Sequence, residues 1–203
     1  MRNIIKLSLG FVVALTLAAT ASAQQPGRIR GEIVKADGPN LELKLRDGGT
    51  LNVKLADDVR VSALVKASMA DLKNDTFIGI AGVPRPDGSI EAHSIHMFLA
   101  AQRGVVPDRH GPWDSRANST MTNAYIEGTP VVDGGSATLK VKYKEGEKNI
   151  VVTPQTVIAS AAAGSKDELK VGAQIIIFGS DKQADGSVLA KTLYVGRGVT
   201  PAM

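Results

Sequence analysis

Residues 68–98 read SMADLKNDTFIGIAGVPRPDGSIEAHSIHMF, and residues 165–196 read SKDELKVGAQIIIFGSDKQADGSVLAKTLYVG. The two stretches carry the same signals in the same order. Ser68-x-x-Asp71-Leu72-Lys73 matches Ser165-x-x-Glu168-Leu169-Lys170, Gly82 matches Gly179, and Asp87-Gly88-Ser89 matches Asp185-Gly186-Ser187, at an offset of 97 or 98 residues. Upstream the match continues, with Gly31 set against Gly128 and Asp47-Gly48 against Glu145-Gly146. A period this long is not that of a solenoid and marks a duplicated domain.

Each copy reads as strands punctuated by turns. Leu41, Leu43 and Leu45 alternate with Glu42, Lys44 and Arg46, the period of a half-buried strand. Leu139, Val141 and Tyr143 alternate with Lys140, Lys142 and Lys144 in the same way. Gly48-Gly49 and Gly146 mark hairpins into a third strand, at 51–55 and 150–152. The Ser-x-x-acid motifs have the form of capping boxes and predict a short helix in each copy. A fourth strand, at 76–83 and 174–179, then an Asp-Gly turn and a fifth strand complete the pattern. The order β-β-β-α-β-β is that of a five-stranded OB-like barrel. The expected fold is therefore all-β, with two tandem small OB-like barrels at 24–98 and 124–203, each with one short helix. Residues 99–123 form a central linker between them, rich in Pro, Gly, Asn and Ser and expected to pack between the barrels as a loop.

The first residues place these domains. Arg2 and Lys6 precede an apolar run, and Ala21-Ser22-Ala23 fits a small-residue cleavage site. The run is too short for a membrane span. The expectation is a Sec-type signal peptide over 1–23, cleaved after Ala23, and a periplasmic or secreted product without a membrane span. There is no Cys, which excludes disulfides, thiolate metal sites and Cys nucleophiles. The formal charge of +4 falls to +2 once Arg2 and Lys6 are removed, and aromatics are only 4%. Nucleic acid is not an expected partner on that balance.

Both copies resemble an uncharacterised family of exported bacterial β-barrel domains, known only as a domain of unknown function. The resemblance rests on Arg30-Gly31-Glu32-Ile33-Val34, the Asp-Gly hairpin, the Leu-Lys before strand four, and Asp87-Gly88-Ser89-Ile90-x-Ala92-x-x-Ile95. It implies an exported OB-like fold and brings no catalytic residues.

No Gly-x-Ser-x-Gly elbow, His-Glu-x-x-His pair or phosphate loop occurs, so the chain is read as a non-enzymatic binding or structural protein. A second reading is a copper or zinc carrier, using His93, His96, Met97, His110 and Met121 as a soft nitrogen and sulfur set. His93 and His96 stand three apart, which sends them to opposite faces of a flat strand. The spacings Ala92 to Ile95 and Ala190 to Leu193 imply a β-bulge that would turn both histidines to one side. Trp113, the only Trp, and Arg109 stand in a tight turn that reads either as a binding surface or as a plug between the barrels. Lys140, Lys142 and Lys144 form a basic stripe that could meet an anionic polymer or another envelope partner, or could simply face water.

Overall fold

Eleven strands follow the alternating and apolar runs in the computed structural model, which describes residues 28–201. The expected signal peptide lies outside the described residues. The first copy holds β1 (Ile29–Asp37), β2 (Asn40–Leu45), β3 (Thr50–Lys66), β4 (Phe77–Pro84) and β5 (Ile90–Met97). A short strand, β6 (Arg109–Pro112), follows. The second copy holds β7 (Thr120–Asp133), β8 (Ser136–Tyr143), β9 (Gly146–Ala163), β10 (Gln174–Lys182) and β11 (Val188–Arg197). The protein is all-β. Among the described residues no helix is long and apolar enough to cross a membrane.

The two expected helices are single 3₁₀ turns, Met69–Asp71 and Lys166–Glu168. The returning arm of each capping box is present: Asp71 accepts from the Ser68 N–H and Glu168 from the Ser165 N–H, both at 2.8 Å. The turns go no further because the next residues, Leu72 and Leu169, are drawn into buried apolar clusters. The third strands run much longer than expected, 17 and 18 residues. The charged interruption at Ala56-Asp57-Asp58 hides their continuation, which changes partner on the way. One edge of β3 pairs first with β2 and at its end with β9, while β11 lies along the other edge from Val53 to Val65.

The strand pairings mix the two copies. β1, β2, β3, β11 and β10 close a five-stranded barrel, in which β3 and β11 run parallel and the other neighbours antiparallel. The order β7, β8, β9, β5, β4 and back to β7 closes in the same way, with β5 and β9 parallel. Each ring thus takes three strands from one copy and the last two from the other. The expected arrangement of one barrel per copy, divided at 24–98 and 124–203, does not coincide with these rings. Each ring has its own core: Leu43, Val53, Ile175 and Leu193 in the first, Ile78, Ile95, Leu139 and Ile150 in the second.

An antiparallel seam between β3 and β9 joins the rings. At its centre Leu64 faces Ala161, and these two residues occupy the same place in the two copies. Ser62 faces Ala163 and Lys66 faces Ala159, which are also exchanged equivalents. The seam is therefore isologous, as in a twofold dimer, but within one chain. Its small residues let the two sheets approach: a Cβ on Gly164 would come within 2.7 Å of the Ser62 backbone.

The register also corrects one equivalence. Ile33 lies opposite Leu43, as Ile126 lies opposite Val141. Gly31 lies opposite Ile175, as Ala124 lies opposite Ile78. Ala124, not Gly128, is thus the counterpart of Gly31. Gly128, at φ +78°, sits in an irregularity between Glu127 and Val131 that lengthens the second hairpin. The tip of that hairpin carries Val131 and Val132, both exposed.

Residues 28–98 expressed alone lack the partner strands. Light scattering should find them as a dimer that recreates the exchange, or as an unfolded chain; a cooperatively folded monomer would show that one copy closes a barrel by itself. In the full chain, Leu43→Ala should cost about 2–5 kcal/mol in a denaturant titration, because Leu43 is fully buried.

Candidate functional site

The implied bulge is present in both copies. Ala81 pairs with Ser94 and Gly82 with Ala92, which leaves His93 unpaired; Gly179 pairs with Thr192 and Ser180 with Ala190, which leaves Lys191 unpaired. Beyond the bulge, Ile95 and Met97 fill the core of the second ring, so Ser94 and His96 face outward. The His96 ring lies over Gly79, its cross-strand neighbour, and edge-on to Phe98 at 4.1 Å between centroids. A side chain at Gly79 would collide with that ring. At the matching place the second copy pairs Ile176 with Tyr194, and Tyr194 meets Phe178 edge-on at 5.4 Å.

These outward side chains meet in a third apolar cluster between the rings. It includes Leu64, Ala81, Met121, Ala161, Ile176 and Tyr194, with Leu99, Trp113 and Phe178 packed against it. Beside it opens a cavity of about 510 Å³. Its apolar lining is Phe98, Leu99, Trp113, Met121, Phe178 and Tyr194; Arg28, Arg60 and Arg109 also line it. The central segment contributes one wall through residues such as Ala101, Val105 and Pro107. Gln102 fastens that wall, since its Nε2 donates to Tyr194 Oη at 2.6 Å and its Oε1 accepts from the Leu99 N–H at 2.9 Å. Burial raises the Tyr194 pKa.

The central segment is more ordered than a linker. It contains a 3₁₀ turn, Ala100–Gln102, and β6, which pairs with β7 from Arg109 against Asn123 to Pro112 against Thr120. Trp113 is half-buried, and the Arg28 guanidinium lies 3.5 Å from its ring centroid. Asp114 accepts from Arg30 at 2.8 Å and lies 3.9 Å from Arg28, which holds the start of β1 against this turn.

The residues singled out in the sequence have different surroundings. His96 and Met121 line the cavity. Met97 packs in the core of the second ring. His93 Nε2 lies 3.0 Å from Ser115 Oγ, and His110 Nδ1 lies 2.8 Å from Thr122 Oγ1. No group of three or more His, Asp or Glu residues is placed to hold a metal ion among the described residues. Lys140 is ion-paired with Glu127 and Glu147, each at 3.0 Å, while Lys142 and Lys144 are exposed. Arg28, Arg60, Phe178 and Tyr194 escaped the sequence reading because the strand exchange brings them in from distant positions. Of the four only Tyr194 carries a local signal, since it stands where the first copy has His96.

Three of the four buried polar atoms without a hydrogen-bond partner among the described residues belong to the cavity lining. They are Arg28 Nε, His96 Nδ1 and Trp113 Nε1; the fourth is His93 Nδ1. Native interiors pair nearly all such groups, so this concentration marks the cavity rather than the cores.

Burial pushes the His96 pKa down to about 3, and burial together with the nearby Arg116 charge pushes that of His93 down to about 4. Both values lie below the ordinary 6.5, so the unfolded chain takes up these protons first. Their contribution to stability is full above pH 6.5 and is lost as pH falls through the folded values. The melting temperature should therefore fall from pH 6.5 to about 4, and His96→Gln should flatten the fall. A profile that is flat in the unaltered protein would show that these rings take up protons as readily in the fold as in the unfolded chain.

No protein-family model, no curated protein and no solved structure matches this chain, so the resemblance to the exported barrel family stands on the quoted residues alone.

Proposed function

We propose that this is an exported, non-enzymatic protein of two OB-like barrels that binds a small molecule in the cavity where they meet. The cavity carries the proposal: about 510 Å³, lined by aromatic side chains and by residues with unpaired buried polar atoms. Its size falls within the range of sites that enclose one small ligand, apolar with a few convergent polar groups. The ring order of first, second, third, fifth and fourth strand supports the OB-like assignment, with the last two strands supplied by the other copy. Export is supported by the apolar run and Ala21-Ser22-Ala23. Binding without chemistry is supported by the lining, which contains no Asp, Glu or Lys, and by the neutral state of His96 at ordinary pH.

Native mass spectrometry of protein purified from the cell envelope tests this reading. It should show a mature chain starting at Gln24 and a small-molecule adduct. Ala101→Trp fills the cavity from its exposed rim and should remove the adduct without lowering the melting temperature. A bare chain in both forms, or an adduct unchanged by Ala101→Trp, would overturn the cavity as the site. A copper or zinc carrier is the second reading, favoured only by His96 and Met121 sharing this cavity. Metal binding lost in both His96→Gln and Met121→Leu would put that reading first.

A further inference from the structure

The charge of the cavity goes beyond its shape. Arg28, Arg60 and Arg109 line it, and no carboxylate does. Several cations elsewhere have carboxylate partners: Arg85 has Glu91, Arg103 has Asp75, Lys140 has two glutamates, Lys191 has Asp181 and Arg197 has Glu168. Arg28 shares Asp114 with Arg30. Neither Arg60 nor Arg109 is ion-paired among the described residues. Arg60 donates only a 3.3 Å hydrogen bond to Thr192 Oγ1. What sets the cavity apart is that three arginines line an apolar space that no carboxylate enters. Arg60 and Arg109 are exposed at its edge, while Tyr194, Met121 and His96 are buried deeper.

We infer that the ligand is an apolar organic acid: a ring or short hydrocarbon body with one carboxylate. The reading rests on the cavity proposed above as the binding site. The body would lie among Trp113, Phe178 and Tyr194, where burial of apolar area drives binding. The carboxylate would stay at the rim, where an arginine fork can take both oxygens. The mostly apolar interior leaves no place for a second charge, which disfavours dianions such as phosphate esters. The Arg28 guanidinium over Trp113 holds the indole face at the cavity and adds to the positive field there.

Three probes of one shape test the class: 2-naphthoic acid, 2-naphthylmethanol and 2-naphthylmethylamine, titrated into the mature protein by calorimetry. The acid should bind about tenfold or more tightly than the alcohol, equivalent to about 1.4 kcal/mol, and the amine weakest. Raising the salt concentration should shrink that preference and leave alcohol binding unchanged. Arg60→Gln/Arg109→Gln should abolish the preference, again with alcohol binding kept. Equal binding of acid and alcohol, tightest binding of the amine, or a preference that survives the double substitution would overturn the acid class and leave the cavity reading standing. Failure of all three probes to bind would overturn both.

Discussion

The parallel pairing of β3 with β11, and of β9 with β5, is the constraint on which the rest depends. Parallel neighbours cannot be joined by a tight turn and need a long crossover. Here the crossover from β3 to β11 contains most of the chain. Each ring is completed only by strands from the other copy, and the seam at Leu64 and Ala161 places the two rings edge to edge. The small residues along 159–164 follow from that arrangement. A strand with one ring on its inner side and a second ring against its edge has little room for side chains.

The cavity is a by-product of the same geometry. The outward faces of the two strand rings meet in the cluster beside the seam and leave an open space next to it. The central segment fills part of that space with Leu99 and Trp113, and the rest remains open. This segment has no counterpart elsewhere in the sequence, so it breaks the internal twofold. On the first copy's side of that dyad His96 lies flat over Gly79, and on the other Tyr194 stands beside Ile176. Duplication supplied two similar walls, and their later divergence made the space between them one-sided.

Most strands, the turns and the bulges were legible in the sequence because local chemistry specifies them, whereas β6 and the full length of β3 and β9 were not. The period-two runs at Leu41 and Leu139, the Asp-Gly turns and the phase change at Ala92 to Ile95 each have a local cause. The strand exchange was not legible, for a physical reason. The fifth strands of the two copies carry the same pattern of inward residues, Ile90, Ala92 and Ile95 against Val188, Ala190 and Leu193. The third strand would bury nearly the same surface against either, so periodicity cannot tell which is chosen. The match of Gly31 to Gly128 misled because Gly128 serves a local irregularity rather than the ladder. Of the cavity, Trp113 and Arg109 could be read as a loop with a purpose, whereas Arg60 and Phe178 join them only through the fold.

The exchange also sets the order in which the structure can be completed. Domains usually fold as units, the N-terminal one first as the chain is made. Here the earliest strands, β1 to β3, cannot be enclosed until β11, which begins at Val188, exists. The second ring can close once β9 has formed, so the ring begun later finishes first. A nascent chain therefore carries the open edges of β1 and β3 until β10 and β11 have been made. Such a chain stays threadable until those two strands arrive, and only then becomes a closed object.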